Sequence, residues 1–206
     1  DARIPNNAEV THALSLTDPQ LIELDPLSCT VFLAKEGMKL DLGCLAKGYI
    51  ADKIADYLKS QHVMSALINL GGNIKTIGAN VLANRPWQIG IQDPRQPRGT
   101  NLAVLPICNQ SVVTSGTYER KLQVNEHTYH HILDRKTGYP VDTQLASITI
   151  ISDNSLDGEI WTTRLYGEKP RQLLARVEQE KDIEALIVTT DNRVYYSSGI
   201  SPEFLA

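Results

Sequence analysis

The middle of the chain carries one β-strand candidate after another, with no helical period between them. Each candidate is a short apolar run that stops at Gly, Pro, Asn or Asp, the pattern of a strand bounded by turns. Such runs occupy 65–70, 87–91, 103–107, 112–114 and 146–152, and a closing hairpin follows at 184–190 and 194–198. Consecutive strands with few helices favour an α+β fold over regular βαβ units.

Helical spacing of apolar residues appears in three places. Between Leu45 and Leu58 they recur every three or four positions among charged residues, which predicts an amphipathic helix over 45–58. A second helix is predicted at about 158–166. A third is predicted from Pro170, because proline is favoured at the first helical position.

The front of the chain is harder to assign. Residues 1–29 are polar and interrupted by three prolines, so no element is predicted there. Strands are predicted at 30–34 and 38–42, paired across a turn at 35–37 that ends in glycine.

Composition narrows the class of protein. A length of 206 residues predicts one domain, or at most two small ones. The net charge of −4 argues against a nucleic-acid binder, which needs a basic face. With 42% hydrophobic residues the chain is neither disordered nor membrane-like, and no run approaches the roughly 18 apolar residues of a spanning helix. Three cysteines without CxxC spacing predict neither a disulfide framework nor a zinc site.

Two glycine-containing segments are candidates for nucleotide binding. LDLGCLAKGY (40–49) passes from a predicted strand into a predicted helix, where free N–H groups and Lys47 favour a phosphate. An ordinary strand-to-helix turn, with Asp41 as a helix cap, explains the same residues. Gly71 and Gly72 permit a close backbone approach to a ligand, but a hairpin turn is the simpler interpretation.

Two further segments carry polar or aromatic groups with less specific signals. TSGTYER (114–120) offers hydroxyls and N–H groups to an anion, but it does not have the G-x-S-x-G context that would make Ser115 a strong nucleophile candidate. In PWQIGIQDP (86–94), Trp87 is either a stacking platform or a core anchor, and the core is favoured.

The strongest chemical candidates lie in the second half. His130 and His131 precede ILDRKTGYP, and histidine suits proton transfer near neutral pH. The alternative is one hydrogen-bonded structural histidine and one exposed histidine. On the predicted second helix, Glu159 and Thr163 are four residues apart and share a face, where their oxygens suit Mg²⁺. The alternative there is an acidic helix N-terminus that complements the helix dipole.

Taken together and in this order, the segments resemble the ApbE family, the Mg²⁺-dependent FAD:protein FMN transferases. The family pattern is approximately LDLGGxAKGYxxD, NLGGxI, PWxIGIxDP, TSGxYER, HIIDPxTGxP and ADxxxT. The corresponding segments here are LDLGCLAKGYIAD (40–52), NLGGNI (69–74), PWQIGIQDP (86–94), TSGTYER (114–120) and HILDRKTGYP (131–140). Five motifs in register outweigh the simpler explanation of each segment alone.

The resemblance implies an ApbE-like, T-fold-related α+β fold, with mixed, mostly antiparallel sheets and a few packed helices. It implies one flavin transferase domain over residues 1–206, equivalent to the C-terminal portion of the family's full length. Family members usually carry about a hundred further residues before this region, a domain-sized piece that holds part of the flavin site. A preceding segment or a separate chain is therefore an expected partner.

The activity that the resemblance implies is transfer of FMN from FAD to a threonine or serine of an acceptor redox protein, with release of AMP. The implied cofactor is Mg²⁺, FAD is the substrate, and the acceptor flavoprotein subunit is the partner; no nucleic acid is expected. Many relatives are exported lipoproteins, so the implied location is extracytoplasmic and associated with the cell membrane of a bacterium.

Site residues are carried over position by position. The implied catalytic base is His131 rather than His130, and we expect substitution of His130 to have little effect. The implied nucleotide contacts are Asp41, Lys47 and Ile132. The implied Mg²⁺ ligands are the backbone carbonyl of Cys44, Glu159 and Thr163.

The chain departs from the family pattern at three of these segments. Cys44 stands where the pattern has a second glycine, which a ligand bond through the backbone carbonyl allows. Glu159 stands where the family has aspartate, and its extra methylene matters because Mg²⁺ demands tight octahedral geometry. Asp157 is the rival ligand if the alignment shifts by two residues. Arg135 replaces the usual proline after the histidine motif.

Other functions remain open from the sequence. One alternative is a flavin-binding protein without turnover, and another is an FAD pyrophosphatase that releases free FMN and AMP. A serine hydrolase built on Ser115 is a distant alternative, because the segment has no nucleophile elbow.

Overall fold

The computed structural model describes residues 3–117, 121–124 and 127–205. The helices are α1 (Asn7–Leu14), α2 (Gly43–Ser60), α3 (Ser155–Leu165) and α4 (Pro170–Val177). The strands are β1 (Ile22–Asp25), β2 (Thr30–Leu33), β3 (Ala66–Leu70), β4 (Asn73–Ile77), β5 (Trp87–Gln92), β6 (Asn101–Ile107), β7 (Ser111–Gly116), β8 (Lys121–Val124), β9 (His127–His130), β10 (Leu145–Ser152), β11 (Ile183–Thr189), β12 (Val194–Tyr196) and β13 (Glu203–Phe204). Helices beside antiparallel sheets confirm the α+β prediction.

The chain divides into two compact units. One comprises Asp1–Leu42 and Arg120–Val141, and the other comprises Gly43–Glu119 and Asp142–Ala206. The prediction of a single functional domain stays a prediction.

The second unit is built on a six-stranded sheet in the order β12-β11-β10-β7-β4-β3. One face packs against a three-stranded sheet, β13-β6-β5, through a cluster of aliphatic side chains. That cluster consists of Ile89, Ile91, Leu105, Ile107, Val112, Ile151, Leu186 and Val188. Trp87 is partly buried against the same cluster, so its role as a core anchor is confirmed.

Two helices cover the opposite face of the six-stranded sheet. On α2, Ala51 and Ala55 pack against Ile68 of β3 and Ile77 of β4. The helix α3 lies against β7 and β10. These small side chains on α2 bring the helix close to the sheet, which matters for the polar groups at its first turns.

A glycine sets the distance between α2 and α3. A Cβ at Gly48 would lie 2.7 Å from the backbone oxygen of Ser155 and 2.8 Å from the Cα of Leu156. Backbone atoms cannot move aside as a flexible side chain can. Gly48 therefore allows the first turns of the two helices to touch.

The paired glycines form the turn between β3 and β4. Gly71 and Gly72 have φ of 63° and 96°, a conformation that suits a two-residue hairpin turn. The N–H of Gly72 donates to Asn69 Oδ1 at 2.9 Å. The turn interpretation is confirmed, and the turn places Asn73 at the first position of β4.

The first unit contains elements that the sequence reading missed. Helix α1 begins with a capping box, in which Glu9 N donates to Asn6 Oδ1 and Asn6 N donates to Glu9 Oε2. Hydrogen bonds from Arg3 and from the Asn6 backbone lower the pKa of Glu9 to about 2. The β8–β9 hairpin leads into the loop that carries His131.

The predicted strand at 38–42 is wrong. Strand β2 pairs with β1 instead, and the connecting turn is held by Asp25, whose Oδ1 accepts from the N–H groups of Leu27 and Ser28. Residues 38–42 alternate apolar and polar side chains as a strand does, but they have no partner strand. Alternation alone cannot supply the hydrogen bonds of a ladder.

No helix in the described part of the chain is long and apolar enough to cross a membrane.

We expect Gly48→Ala to destabilise the second unit. Alanine is favoured over glycine in a helix by about 1 kcal/mol, but overpacking against Ser155 costs about 1–3 kcal/mol. Thermal and urea unfolding should therefore show a net loss of stability, which the half-exposed control Ile50→Ala should not reproduce. A stabilised Gly48→Ala protein would contradict this account of helix contact.

Candidate functional site

The face of β4 that lies under the helices is polar at the start of the strand and apolar at its end. Asn73, Lys75 and Ile77 share this face because alternate residues of a strand point the same way. Ile77 belongs to the apolar cluster under α2. Asn73 and Lys75 are 1% and 4% exposed, so their polar atoms must be satisfied by neighbours.

Asn73 connects β4 to α3 through both atoms of its amide. Its Nδ2 donates to Glu159 Oε1 at 2.8 Å, and its Oδ1 accepts from the Ser155 hydroxyl at 2.5 Å. Glu159 is 6% exposed. A buried carboxylate needs hydrogen bonds or a cation, and Asn73 supplies the first of these.

Lys47 brings a positive charge from α2 to the same carboxylate. Its Nζ lies 3.7 Å from Glu159 Oε1, while half of the lysine side chain remains exposed. The carboxylate of Glu159 meets Asn73 and Lys47, both among the described residues, through Oε1. An ionised carboxylate offers about four acceptor positions, so Oε2 can still bind a cation.

Asp52 holds the start of α3 from outside that helix. Its Oδ1 and Oδ2 accept from the N–H groups of Ser155 and Leu156 at 2.8 and 2.9 Å. The N-cap residue of α3, Asn154, makes no side-chain capping bond. A carboxylate from α2 therefore satisfies the first N–H groups of α3 and complements its dipole.

Lys75 completes this buried network. Its Nζ lies 3.8 Å from Asp52 Oδ1 and donates to the backbone carbonyl of Asp153. Burial lowers the pKa of Lys75, and the Asp52 carboxylate opposes that shift. The buried Lys75 ammonium thus lies beside the Asp52 carboxylate and compensates its charge.

The three predicted metal ligands lie on α2 and α3, which pack together. Thr163 is exposed and stands one turn after Glu159 on the same face of α3. Cys44 is exposed in the first turn of α2, three residues before Lys47. Inside a helix the carbonyl of residue 44 faces the N–H of residue 48 and keeps a second lone pair for a ligand.

These oxygens fit Mg²⁺ better than they fit zinc. Over the described stretches, no group of three or more His, Cys, Asp or Glu residues is placed to hold a metal. The predicted ligands, one carboxylate, one hydroxyl and one carbonyl, would make a hard, sparse donor set. Mg²⁺ accepts such a set because it retains waters and binds substrate phosphates.

The structure separates Glu159 from its rival Asp157. Asp157 lies in the first turn of α3 and accepts from Asn154 Nδ2 at 3.1 Å. Glu159 instead lies against Asn73 and against Lys47, a predicted nucleotide contact. The choice of Glu159 over Asp157 as the metal ligand stays a prediction.

The remaining predicted residues belong to the first unit. Asp41 is exposed two residues before α2, and His131 is exposed directly after β9. Ile132 is half-buried, and its carbonyl accepts from Val141 N at 3.0 Å. Of the seven predicted site residues, the structure shows a contact between Lys47 and Glu159, which both lie in the second unit.

Ser115 is not placed as a hydrolase nucleophile. It lies within β7, paired with Ile148 of β10, rather than on a strand-to-helix turn. The last residues of its motif, 118–120, lie outside the described residues.

Sequence reasoning missed four residues of the network: Asn73, Ser155, Asp52 and Lys75. Asn73 lies in NLGGNI (69–74), directly after the paired glycines, and Asp52 is the last residue of LDLGCLAKGYIAD (40–52). Their positions inside these motifs mark them as candidates, but the sequence does not show which residues they contact. Ser155 carried no signal in the sequence.

We expect Asn73→Ala to cost stability at both ends of its amide. The change leaves the Glu159 carboxylate and the Ser155 hydroxyl without this partner, at about 1–3 kcal/mol for each buried group. Urea unfolding of Asn73→Ala, Ser155→Ala and the double variant measures the coupling between them. Additive effects would contradict a shared hydrogen-bond network.

Comparison with known proteins agrees with the motifs and the fold. The model of the ApbE family matches residues 1–187. An FAD:protein FMN transferase of Klebsiella pneumoniae (strain 342) is 47% identical over 195 residues, which are 95% of this chain and 60% of that protein. One of Treponema pallidum (strain Nichols) is 38% identical over 178 residues, 83% of this chain and 49% of that protein.

A solved structure has the same fold. The crystal structure of the ApbE protein of Thermotoga maritima superposes with a TM-score of 0.86 at 30% identity, covering 96% of this chain and 63% of that one. The chain thus spans about half to two thirds of the length of these three proteins. The ordered motifs, the antiparallel α+β fold and the match over residues 1–187 show that the chain belongs to the ApbE family.

Proposed function

We propose that the protein is a Mg²⁺-dependent FAD:protein FMN transferase that moves FMN from FAD to a threonine or serine of an acceptor redox protein and releases AMP. The observation that carries the proposal is the Glu159 carboxylate, buried, held by Asn73 and faced by Lys47. The names of the matched relatives, FAD:protein FMN transferases, support the same activity.

Glu159, Thr163 and the carbonyl of Cys44 would hold the metal ion. When bound, Mg²⁺ supplies positive charge to the pyrophosphate of FAD. Lys47 adds a second positive charge beside Glu159, with its exposed half available to a phosphate oxygen. Phosphoryl transfer depends mainly on such positioning and charge neutralisation, and this donor set provides both.

His131 is assigned the proton transfer. A ring nitrogen of its exposed imidazole accepts the proton of the acceptor hydroxyl. The hydroxyl oxygen forms a bond to the phosphorus of the FMN half, and the bond from that phosphorus to the bridging oxygen breaks. AMP leaves with that oxygen, so atoms and charges balance. Asp41 and Ile132 contact the nucleotide in this proposal.

A location outside the cytoplasmic membrane, with a membrane-associated acceptor, completes the proposal. This location is inferred from the location that is usual for members of the family. An acceptor in the cytoplasm would change this part of the proposal and leave the chemistry intact.

The first experiment incubates the purified protein with FAD, in Mg²⁺ or in EDTA, with and without a threonine-containing acceptor peptide. AMP, free FMN and peptide-bound FMN are separated by chromatography. We expect AMP and peptide-bound FMN in Mg²⁺ only. Free FMN would favour a pyrophosphatase in which water replaces the acceptor hydroxyl, and FAD binding without AMP would favour a non-catalytic binder.

We expect His131→Ala to lower FMN transfer by about 10²–10⁴-fold, the usual contribution of a general base. FAD affinity, measured by fluorescence quenching, should change little because the proton transfer is not part of ground-state binding. The exposed His62 provides the control His62→Ala. Transfer at the wild-type rate by His131→Ala would remove His131 from this role.

We expect Glu159→Gln to raise the Mg²⁺ concentration needed for half-maximal activity at least tenfold. The amide oxygen can still accept from Asn73, so the fold should survive while the negative charge is lost. Mn²⁺ binding measured by electron paramagnetic resonance tests the same loss without turnover.

Asp157→Asn, two residues away, is the matched control for Glu159→Gln. Its metal titration should match that of the wild type. Weakened binding in Asp157→Asn together with unchanged binding in Glu159→Gln would move the ligand to Asp157.

A further inference from the structure

The imidazole of His130 is bonded to backbone on two sides. Its Nε2 lies 3.0 Å from the carbonyl oxygen of Val141, and the N–H of Ile132 donates to its Nδ1 at 3.3 Å. A carbonyl oxygen only accepts and a backbone N–H only donates. The ring must therefore carry its proton on Nε2 and none on Nδ1, the neutral Nε2–H form.

These two bonds close the base of the loop that follows β9. The same pair of residues is joined by a backbone hydrogen bond, from Val141 N to Ile132 O at 3.0 Å. Within the loop, Asp134 N donates to Tyr139 O at 2.8 Å, and Gly138 N donates to Asp134 O at 2.7 Å. The loop is thus a closed hairpin rather than an open connection.

The far end of the loop is docked on α1. The Tyr139 hydroxyl donates to Asn7 Oδ1 at 2.9 Å. A Cβ at Gly138, where φ is 72°, would lie 2.7 Å from Val10 Cγ1. Contacts at both ends leave the loop little freedom. His131 sits between two residues, 130 and 132, that the ring of His130 ties together.

We propose that His130 is a positioning residue that fixes the main chain on both sides of His131 by staying in the neutral Nε2–H form. The inference rests on the proposed function, in which His131 is the base. It revises the expectation that substitution of His130 has little effect. Loss of the ring releases Ile132 N–H and Val141 O, and a base displaced by about 1 Å can lose 10²-fold in rate.

Two variants separate the ring's bonds from its volume. His130→Phe fills the same space and makes neither bond. His130→Asn places an amide oxygen near the Nδ1 position, where it can accept from the N–H of Ile132 as in an Asx-turn. We expect His130→Phe to lower kcat for FMN transfer about 10- to 100-fold with KM for FAD within about twofold, and His130→Asn to recover about tenfold. The exposed His62→Phe is the control.

Three kinetic outcomes would overturn the proposal. They are a wild-type kcat in His130→Phe, a change confined to KM, and equal losses in the phenylalanine and asparagine variants. The last would show that the bond to Ile132 is not what positions the base.

A second measurement does not depend on turnover or on a folded variant. The ¹⁵N shifts of the His130 ring in the wild-type protein should show a protonated Nε2 and an unprotonated Nδ1 at pH 8. The opposite tautomer would overturn the proposal. If the wild type transferred no FMN but showed the expected tautomer, the proposed function would be wrong. The hydrogen bonds of the His130 ring to Ile132 and Val141 would still be supported.

Discussion

The arrangement of the second unit depends on one carboxylate. Asp52 of α2 accepts from two N–H groups at the start of α3 and lies beside the buried ammonium of Lys75. A helix start has unsatisfied donors, and burying them without partners is costly. The side chain that satisfies them therefore also sets where α3 begins. Glu159, one turn further along α3, is therefore positioned by this contact as well.

The network around Glu159 shows how a buried site remains stable. The amide of Asn73 donates to Glu159 through Nδ2 and accepts from Ser155 through Oδ1, so each of these buried polar groups has a partner. Gly48 contributes by having no side chain, because any Cβ would push α2 away from α3 and Lys47 away from Glu159. The close contact of α2 with α3 therefore also places Lys47 beside Glu159. The proposed metal chemistry depends on both.

Local patterns predicted the regular elements well. The helix predicted at 45–58 is α2, Gly43–Ser60, because a 3.6-residue period reports burial along one face. Helix α1 was missed although Asn6 and Glu9 form a capping box, because it is only eight residues long and lies between prolines. The alternation at 38–42 predicted a strand that does not form, since pairing requires a partner that no local pattern reveals.

By itself the sequence determined the family, the α+β class and the shared helix face of Glu159 and Thr163, because motifs and periods are local properties of the chain. The tertiary structure decided which distant groups meet. Asn73 and Glu159 are 86 residues apart and lie within 2.8 Å. The role of His130 likewise became visible only when Val141, eleven residues on, closed the loop against its ring. Such contacts arise when separate helices, strands and loops pack together. A sequence pattern does not show how far apart these elements lie in the folded chain.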